Sequence, residues 1–205
     1  MNFPKKKYIK IEDYFLDYLN VSNEVIKKID MKILIKIANL LENKIKSNKN
    51  IFVCGNGGSA AIANHYVADY LKLLRTNTKL KPKFISLVSN LELITAISND
   101  INYDKIFSYQ IESLANNNDL LIMISSSGNS KNLINALKIA KNKKMKIISF
   151  VGFNGGLIHK KSDLSLLSEV NNYGISEDIA HILMHIIIQF LRQKNLVKDL
   201  KKVKF

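Results

Sequence analysis

The chain carries one cysteine, two prolines, eight glycines and no tryptophan in 205 residues. A lone Cys54 excludes an internal disulfide and reads as a small buried side chain in a strand. With proline only at Pro4 and Pro82, and no low-complexity or repeated stretch, nothing marks a linker, so a single domain is expected. No apolar run reads as long as the roughly 18–20 residues that cross a bilayer, and the lysine-rich start lacks the apolar centre of a signal peptide. A cytoplasmic protein with no membrane association is therefore expected.

Acidic residues are also scarce, 17 against 31 Lys and Arg, which leaves a net charge of +14. Such a field attracts anions, whether nucleic acid or phosphorylated metabolites. The lysines are scattered, with short clusters at 5–7, 141–146 and 198–204, and no aromatic residues interleave with them as stacking platforms. No element gathers a basic face, so nucleic acid is set aside and a small anionic ligand is retained. At 47% apolar and 23% charged, the composition is that of an ordinary globular protein.

What is present is an alternation. Apolar residues recur at helical spacing over 24–46, after a shorter apolar stretch at 11–19, with a polar break at 20–23 between them. Two N-terminal helices, within residues 1–48, are expected. From 49 to 195, short apolar runs at 51–54, 84–88, 120–125, 146–151 and 164–170 alternate with helical patterns at 59–74, 91–98, 103–114, 129–141 and 176–193. Nearly continuous apolar strands separated by helices predict a doubly wound α/β domain whose five-stranded parallel sheet is covered on both faces.

Ligands of such sheets bind beyond the carboxyl ends of the strands. The first strand ends in GNGGS (55–59) and the third in SSSGNS (125–130), each before a helix. Free N–H groups and the positive dipole end at a helix start suit a phosphate, and serine hydroxyls add donors without bulk. GNGGS is neither a Walker loop, because Ser59-Ala60 follows Gly58, nor a dinucleotide fingerprint, because position 60 is alanine.

His65 and Asp69 lie four residues apart on the helix that GNGGS opens, so they share a face. Glu177 and His185 lie on the apolar helix SEDIAHILMH. Two histidines and two carboxylates suit zinc or another borderline divalent ion, and equally suit proton transfer without one. Glu177 and His185 are eight residues apart, about 12 Å along a helix and roughly 80° around it, too far to share one ion comfortably from the same chain. Two copies of this helix at a symmetric interface would bring them together, so a homo-oligomer with a site spanning chains is expected.

The segments GNGGSAAIANHYVADYL, SNDINYD, SSSGNSKNLINALKIAK, VGFNGG and EDIAHILMHIIIQ occur in an order that resembles the sugar-isomerase (SIS) domain family, over about residues 10–193. More narrowly, they are similar to its phosphoheptose isomerase branch. That resemblance implies a flavodoxin-like fold, a homotetramer with sites at subunit interfaces, a zinc ion in many members, and a role in surface polysaccharide synthesis. It implies interconversion of sedoheptulose 7-phosphate and D-glycero-D-manno-heptose 7-phosphate. Carried over by position, substrate contacts fall on Asn56, Gly57, Gly58, Ser59, Asp69, Asn99, Asp100, Ser125, Ser126, Ser127, Ser130 and Glu177. The metal set falls on His65, Asp69, Glu177 and His185, with Asp69 as catalytic base and His185 as its acid partner. The branch usually has glutamate where Asp69 stands and glutamine where Glu177 stands. Its usual arginine after the carboxylate has no clear match, the nearest basic residues being Lys72 and Arg75. A sugar-phosphate-sensing regulator or a replication-initiation partner within the SIS family is the rival reading; neither needs all four of His65, Asp69, Glu177 and His185.

Overall fold

The computed structural model describes residues 1–205. Two helices, α1 (Ile11–Ile26) and α2 (Met31–Lys46), precede the sheet. The expected break at 20–23 is absent: α1 runs through it, with the Ser22 hydroxyl donating to the Tyr18 carbonyl one turn back. The interruption falls later, where the Asp30 carboxylate accepts hydrogen bonds from the backbone N–H of Lys32 and Ile33 and starts α2. A good N-cap outweighs a run of mediocre helix formers.

Five strands follow, β1 (Asn50–Gly55), β2 (Lys83–Ser86), β3 (Leu120–Ser125), β4 (Lys146–Gly152) and β5 (Leu164–Ser168). They form one parallel sheet in the order β2-β1-β3-β4-β5. Successive strand residues face opposite sides, which explains the continuous apolar runs. Ile51, Val53, Ile122, Ile124, Ile148 and Phe150 pack on one side; Phe52, Cys54, Leu121, Met123, Ile147 and Val151 pack on the other. The first side is covered by α1, α2, α3 (Gly58–Ala68) and the C-terminal helix. The second is covered by α4 (Leu91–Asp100), α5 (Ser108–Leu114), α6 (Lys131–Asn142) and a short α7 (Gly156–Lys161) that the sequence pattern did not suggest. Burial pushes the Cys54 thiol pKa well up, so it is inert packing.

The predicted 59–74 helix changes character midway. After Ala68 the backbone becomes a π-helix over Asp69–Leu74. Such wide turns are uncommon and recur at functional sites.

The C-terminal helix α8 (Tyr173–Lys194) corrects one reading of the sequence. It is long and apolar enough to cross a membrane by length and composition. Its Ile179, Leu183, Met184, Ile187 and Ile188 are buried in the core, which accounts for that composition. Near its end, Lys194 binds Glu42 at 2.7 Å, and Lys46 binds the same carboxylate at 2.7 Å. Glu42 is 4% exposed and its pKa falls to about 2, because both ammonium groups donate to it. With a folded pKa below the unfolded one, this latch contributes fully above about pH 4.5 and is lost as pH falls toward 2. Glu42→Gln is expected to cost about 1–3 kcal/mol at pH 7. It should also flatten the acid limb of stability measured by urea unfolding.

Candidate active site

The strand order places β1 between β2 and β3, so the chain leaves β1 and β3 toward opposite faces, and a crevice opens between their carboxyl ends. A cleft of about 360 Å³ occupies that position, lined by Asn56, Gly57, Gly58, Ser59, Ser125, Ser126, Ser127, Ser130, Tyr173 and Glu177. Both turns singled out in the sequence therefore face one pocket. Their shape depends on glycine where φ is positive, at Gly57 (+55°) and Gly128 (+65°). The Ser125 hydroxyl accepts from the Gly128 N–H at 3.1 Å, folding the serine turn back on itself.

Two helices begin at this cleft without a capping side chain of their own. Gly57 precedes α3 and has none, and the Ser130 hydroxyl makes no capping bond to α6. Orphan N–H groups and uncommitted hydroxyls thus converge where an anion would sit. The turns are braced against each other by a reciprocal amide pair. The Asn56 amide donates to Asn132 Oδ1 at 3.0 Å, and the Asn132 amide donates to Asn56 Oδ1 at 2.8 Å. The Tyr103 hydroxyl adds a third bond, to Asn56 Oδ1 at 3.1 Å.

Glu177 reaches from α8 to the start of α3, where a Cβ on Gly58 would overlap its carboxylate. Burial raises its pKa, and the Ser59 hydroxyl and N–H partly oppose the rise. The side chain takes the place of the cap that Gly57 cannot supply.

A second cluster lies farther along α3 and α8. His65 Nε2 and His185 Nε2 are 3.5 and 3.3 Å from Asp69 Oδ2, and 3.3 Å from each other. His185 is not enclosed by Met184 and Ile186, as its sequence neighbours suggest; its side chain is 38% exposed. His181, one turn before His185, stacks on it with ring centroids 4.6 Å apart and lies edge-on to His65 at 4.6 Å. Burial lowers the His181 pKa, and the neighbouring His185 and His65 lower it further. A tetrahedral ion with bonds of about 2.0–2.1 Å has ligand-to-ligand edges of about 3.3–3.4 Å. The three separations among His65, Asp69 and His185 already match those edges, so the donors present fit a divalent ion such as zinc.

Of the predicted site residues, the structure groups Asn56, Gly57, Gly58, Ser59, Ser125, Ser126, Ser127, Ser130 and Glu177 at the cleft, and His65, Asp69 and His185 in the cluster. Glu177 stands with the anion turn, apart from the histidines with which the metal carry-over had placed it. Asn99 and Asp100 bond to each other at 2.8 Å in the last turn of α4 and do not line the cleft. The residues passed over are Tyr103, Asn132, Tyr173 and His181. Only His181 had a legible signal, its four-residue spacing from His185.

The fold and site are those of a known class. Residues 13–152 match the SIS domain family, and the chain belongs to it. Phosphoheptose isomerase from Aliarcobacter butzleri (strain RM4018) is 37% identical over 156 residues, which is 76% of this chain and 82% of that protein. Phosphoheptose isomerase from Buchnera aphidicola subsp. Schizaphis graminum (strain Sg) is 36% identical over 170 residues, 82% of this chain and 84% of its own. The structure of phosphoheptose isomerase from Neisseria gonorrhoeae superposes with a TM-score of 0.81 at 28% identity, covering 89% of this chain and 97% of that one. Within the SIS family, the chain's place is with the phosphoheptose isomerases.

Proposed function

We propose that this protein is an aldose–ketose isomerase that interconverts sedoheptulose 7-phosphate and D-glycero-D-manno-heptose 7-phosphate. The observation that carries the reading is Asp69, a carboxylate set 3.3 and 3.5 Å from two imidazoles, in a chain whose helix starts form an anion cleft. The cleft takes the phosphate on the Gly57–Gly58 and serine turns. Asp69 removes a proton from C1 of the ketose while His185 gives one to the C2 oxygen, which yields the enediol. His185 then takes the proton from the C1 hydroxyl as the aldehyde forms, and Asp69 returns its proton to C2. The donor set is restored and no atom is gained or lost. His65, Asp69 and His185 would hold a zinc ion, which when bound would take over from His185 the polarisation of the substrate oxygens, as a Lewis acid. Because Oδ2 of Asp69 faces both rings, Oδ1 is left for the substrate's proton.

The assembly belongs to the same proposal. Apolar side chains stand exposed on α1 (Phe15, Leu16), α2 (Met31, Ile35) and α8 (Ile186, Phe190), and those of α2 and α8 border one groove. Faces of this kind suit burial between copies of the chain in a cytoplasmic homotetramer, in which a neighbour supplies the contacts that Asn99 and Asp100 lack here.

The test is incubation of the pure protein in D₂O with a panel of ketose phosphates, followed by NMR. Aldose signals from sedoheptulose 7-phosphate are expected, with deuterium at C2 to the extent that the proton held by Asp69 exchanges with solvent before its return. Tight binding with no turnover of any ketose would favour the sensing-regulator reading instead. An active monomer by light scattering would overturn the shared assembly.

A further inference from the structure

The net charge of +14 is unevenly placed. Residues 72–83 and 192–205, about an eighth of the chain, hold eleven Lys and Arg against one acidic side chain, Asp199, and so carry +10 of it. No single element gathers that charge, but the fold joins the two segments. Thr78 and Leu196 form an antiparallel bridge, and the Val197 N–H donates to the Asn77 carbonyl at 2.9 Å. Arg192, 2% exposed, clasps them: its Nε donates to the Thr76 carbonyl at 3.3 Å and its Nη1 to the Lys204 carbonyl at 2.9 Å. The other ten cations are exposed, and of these only Lys194 has an ion-pair partner, Glu42. A recess of about 500 Å³ between the segments is lined by Lys79, Lys81, Asn195 and Val197, with Lys46 from the end of α2. Residues 72–83 lead into β2, and α8 runs from Tyr173 at the cleft to Lys194, so this face lies at the amino ends of the strands, away from the cleft.

Unpaired cations crowded on one face repel one another, and an extended anionic surface relieves that repulsion. Apolar side chains stand among them: Val197, Leu200 and Phe205 are exposed, interleaved with Lys198, Lys201 and Lys204. A nucleic acid backbone would meet the charge but leave Val197 and Leu200 in water, whereas an anionic bilayer receives both kinds of group. All but one of the exposed cations are lysines, point charges suited to a diffuse layer of headgroups; fixed phosphates are gripped more often by the arginine fork. We propose that this face is a peripheral docking surface for an anionic lipid bilayer, with the 194–205 segment lying in the headgroup layer. The absence of a spanning run bears on insertion only; adhesion of this kind is reversible, and salt screens it. Helix α8 keeps its place in the core, and the cleft at the other end of the sheet stays open to solvent.

The experiment is co-sedimentation of the full-length protein with vesicles of phosphatidylcholine alone or mixed with phosphatidylglycerol, at low and high salt. Binding to the anionic vesicles should be at least about 10-fold tighter than to the neutral ones and should weaken as salt rises. Lys201→Glu combined with Lys202→Glu and Lys204→Glu should weaken it at least about 10-fold at an unchanged urea midpoint. Lys79→Gln with Lys81→Gln, on the other segment, should weaken it in the same direction, and Leu200→Ser should weaken it at least about 3-fold. The proposal is overturned if wild type does not sediment with anionic vesicles, if neutral vesicles bind it equally well, or if both lysine variants match wild type. It is also overturned if a single-stranded oligonucleotide binds more tightly than the vesicles and Leu200→Ser weakens neither, which would assign the face to nucleic acid.

Discussion

Asp69→Asn should lower kcat for sedoheptulose 7-phosphate by at least about 10²-fold while leaving substrate affinity within a few-fold of wild type. The substitution keeps the shape of the side chain and removes its ability to accept a proton from carbon, together with the negative charge that faces His65 and His185. The proposed phosphate contacts lie at the separate cleft formed by Asn56–Ser59 and Ser125–Ser130, so binding measured by calorimetry should persist. Aspartate is one methylene shorter than the family's usual glutamate, which would be a handicap if the carboxylate had to reach. Its Oδ2 nevertheless stands 3.3 Å from His185 Nε2, so the histidines are already gathered around the shorter side chain. Unchanged turnover in Asp69→Asn would move the base to Glu177, the carboxylate that lines the cleft.

Gly128→Ala should be the most damaging glycine-to-alanine change in the protein. Its φ of +65° disfavours any Cβ, and the added carbon would overlap the carbonyl oxygen of Gly155. That carbonyl cannot step aside easily. The two turns are tied by the Ile158 N–H donating to the Gly128 carbonyl at 3.0 Å and the Leu157 N–H donating to Asn129 Oδ1 at 3.0 Å. Strain and overlap together should cost about 3–5 kcal/mol in urea unfolding, a large share of the roughly 5–15 kcal/mol that holds a domain folded. Gly57→Ala is the contrast. Its φ is +55°, but nothing lies within 4 Å of the added carbon, so strain alone should cost about 1–3 kcal/mol. Equal losses in the two variants would mean that the contact between the serine turn and the Gly155 turn contributes nothing.

The sheet was legible in the sequence because each strand is a short apolar run bounded by polar residues, and parallel strands buried on both faces leave that trace. Its two N-terminal helices were legible in number and misplaced in boundary, since the Asp30 cap is a single residue among many polar ones. Helix α7 has only six residues, too few for an apolar period to show. The anion cleft could be read because glycine and serine at strand ends have few other uses. Tyr103 and Asn132 could not, because each acts through Asn56 across the fold, and no local spacing announces a partner 47 or 76 residues away. His181 was readable in principle. It was hidden by the resemblance itself, which directs attention to Glu177 four residues earlier.

Helix α8 carries His181 and His185 on one line and exposes Ile182, Ile186 and Phe190 on the next, one residue onward. A single rigid rod therefore holds the imidazoles and the greasy stripe in fixed relation, about 100° apart around its axis. Whatever surface seals that stripe must pass beside the rings and decide how much water reaches them. In the proposed homotetramer, dilution that uncovers the stripe would wet the reaction centre without displacing one of its residues, and turnover per chain would then depend on how crowded the chains are.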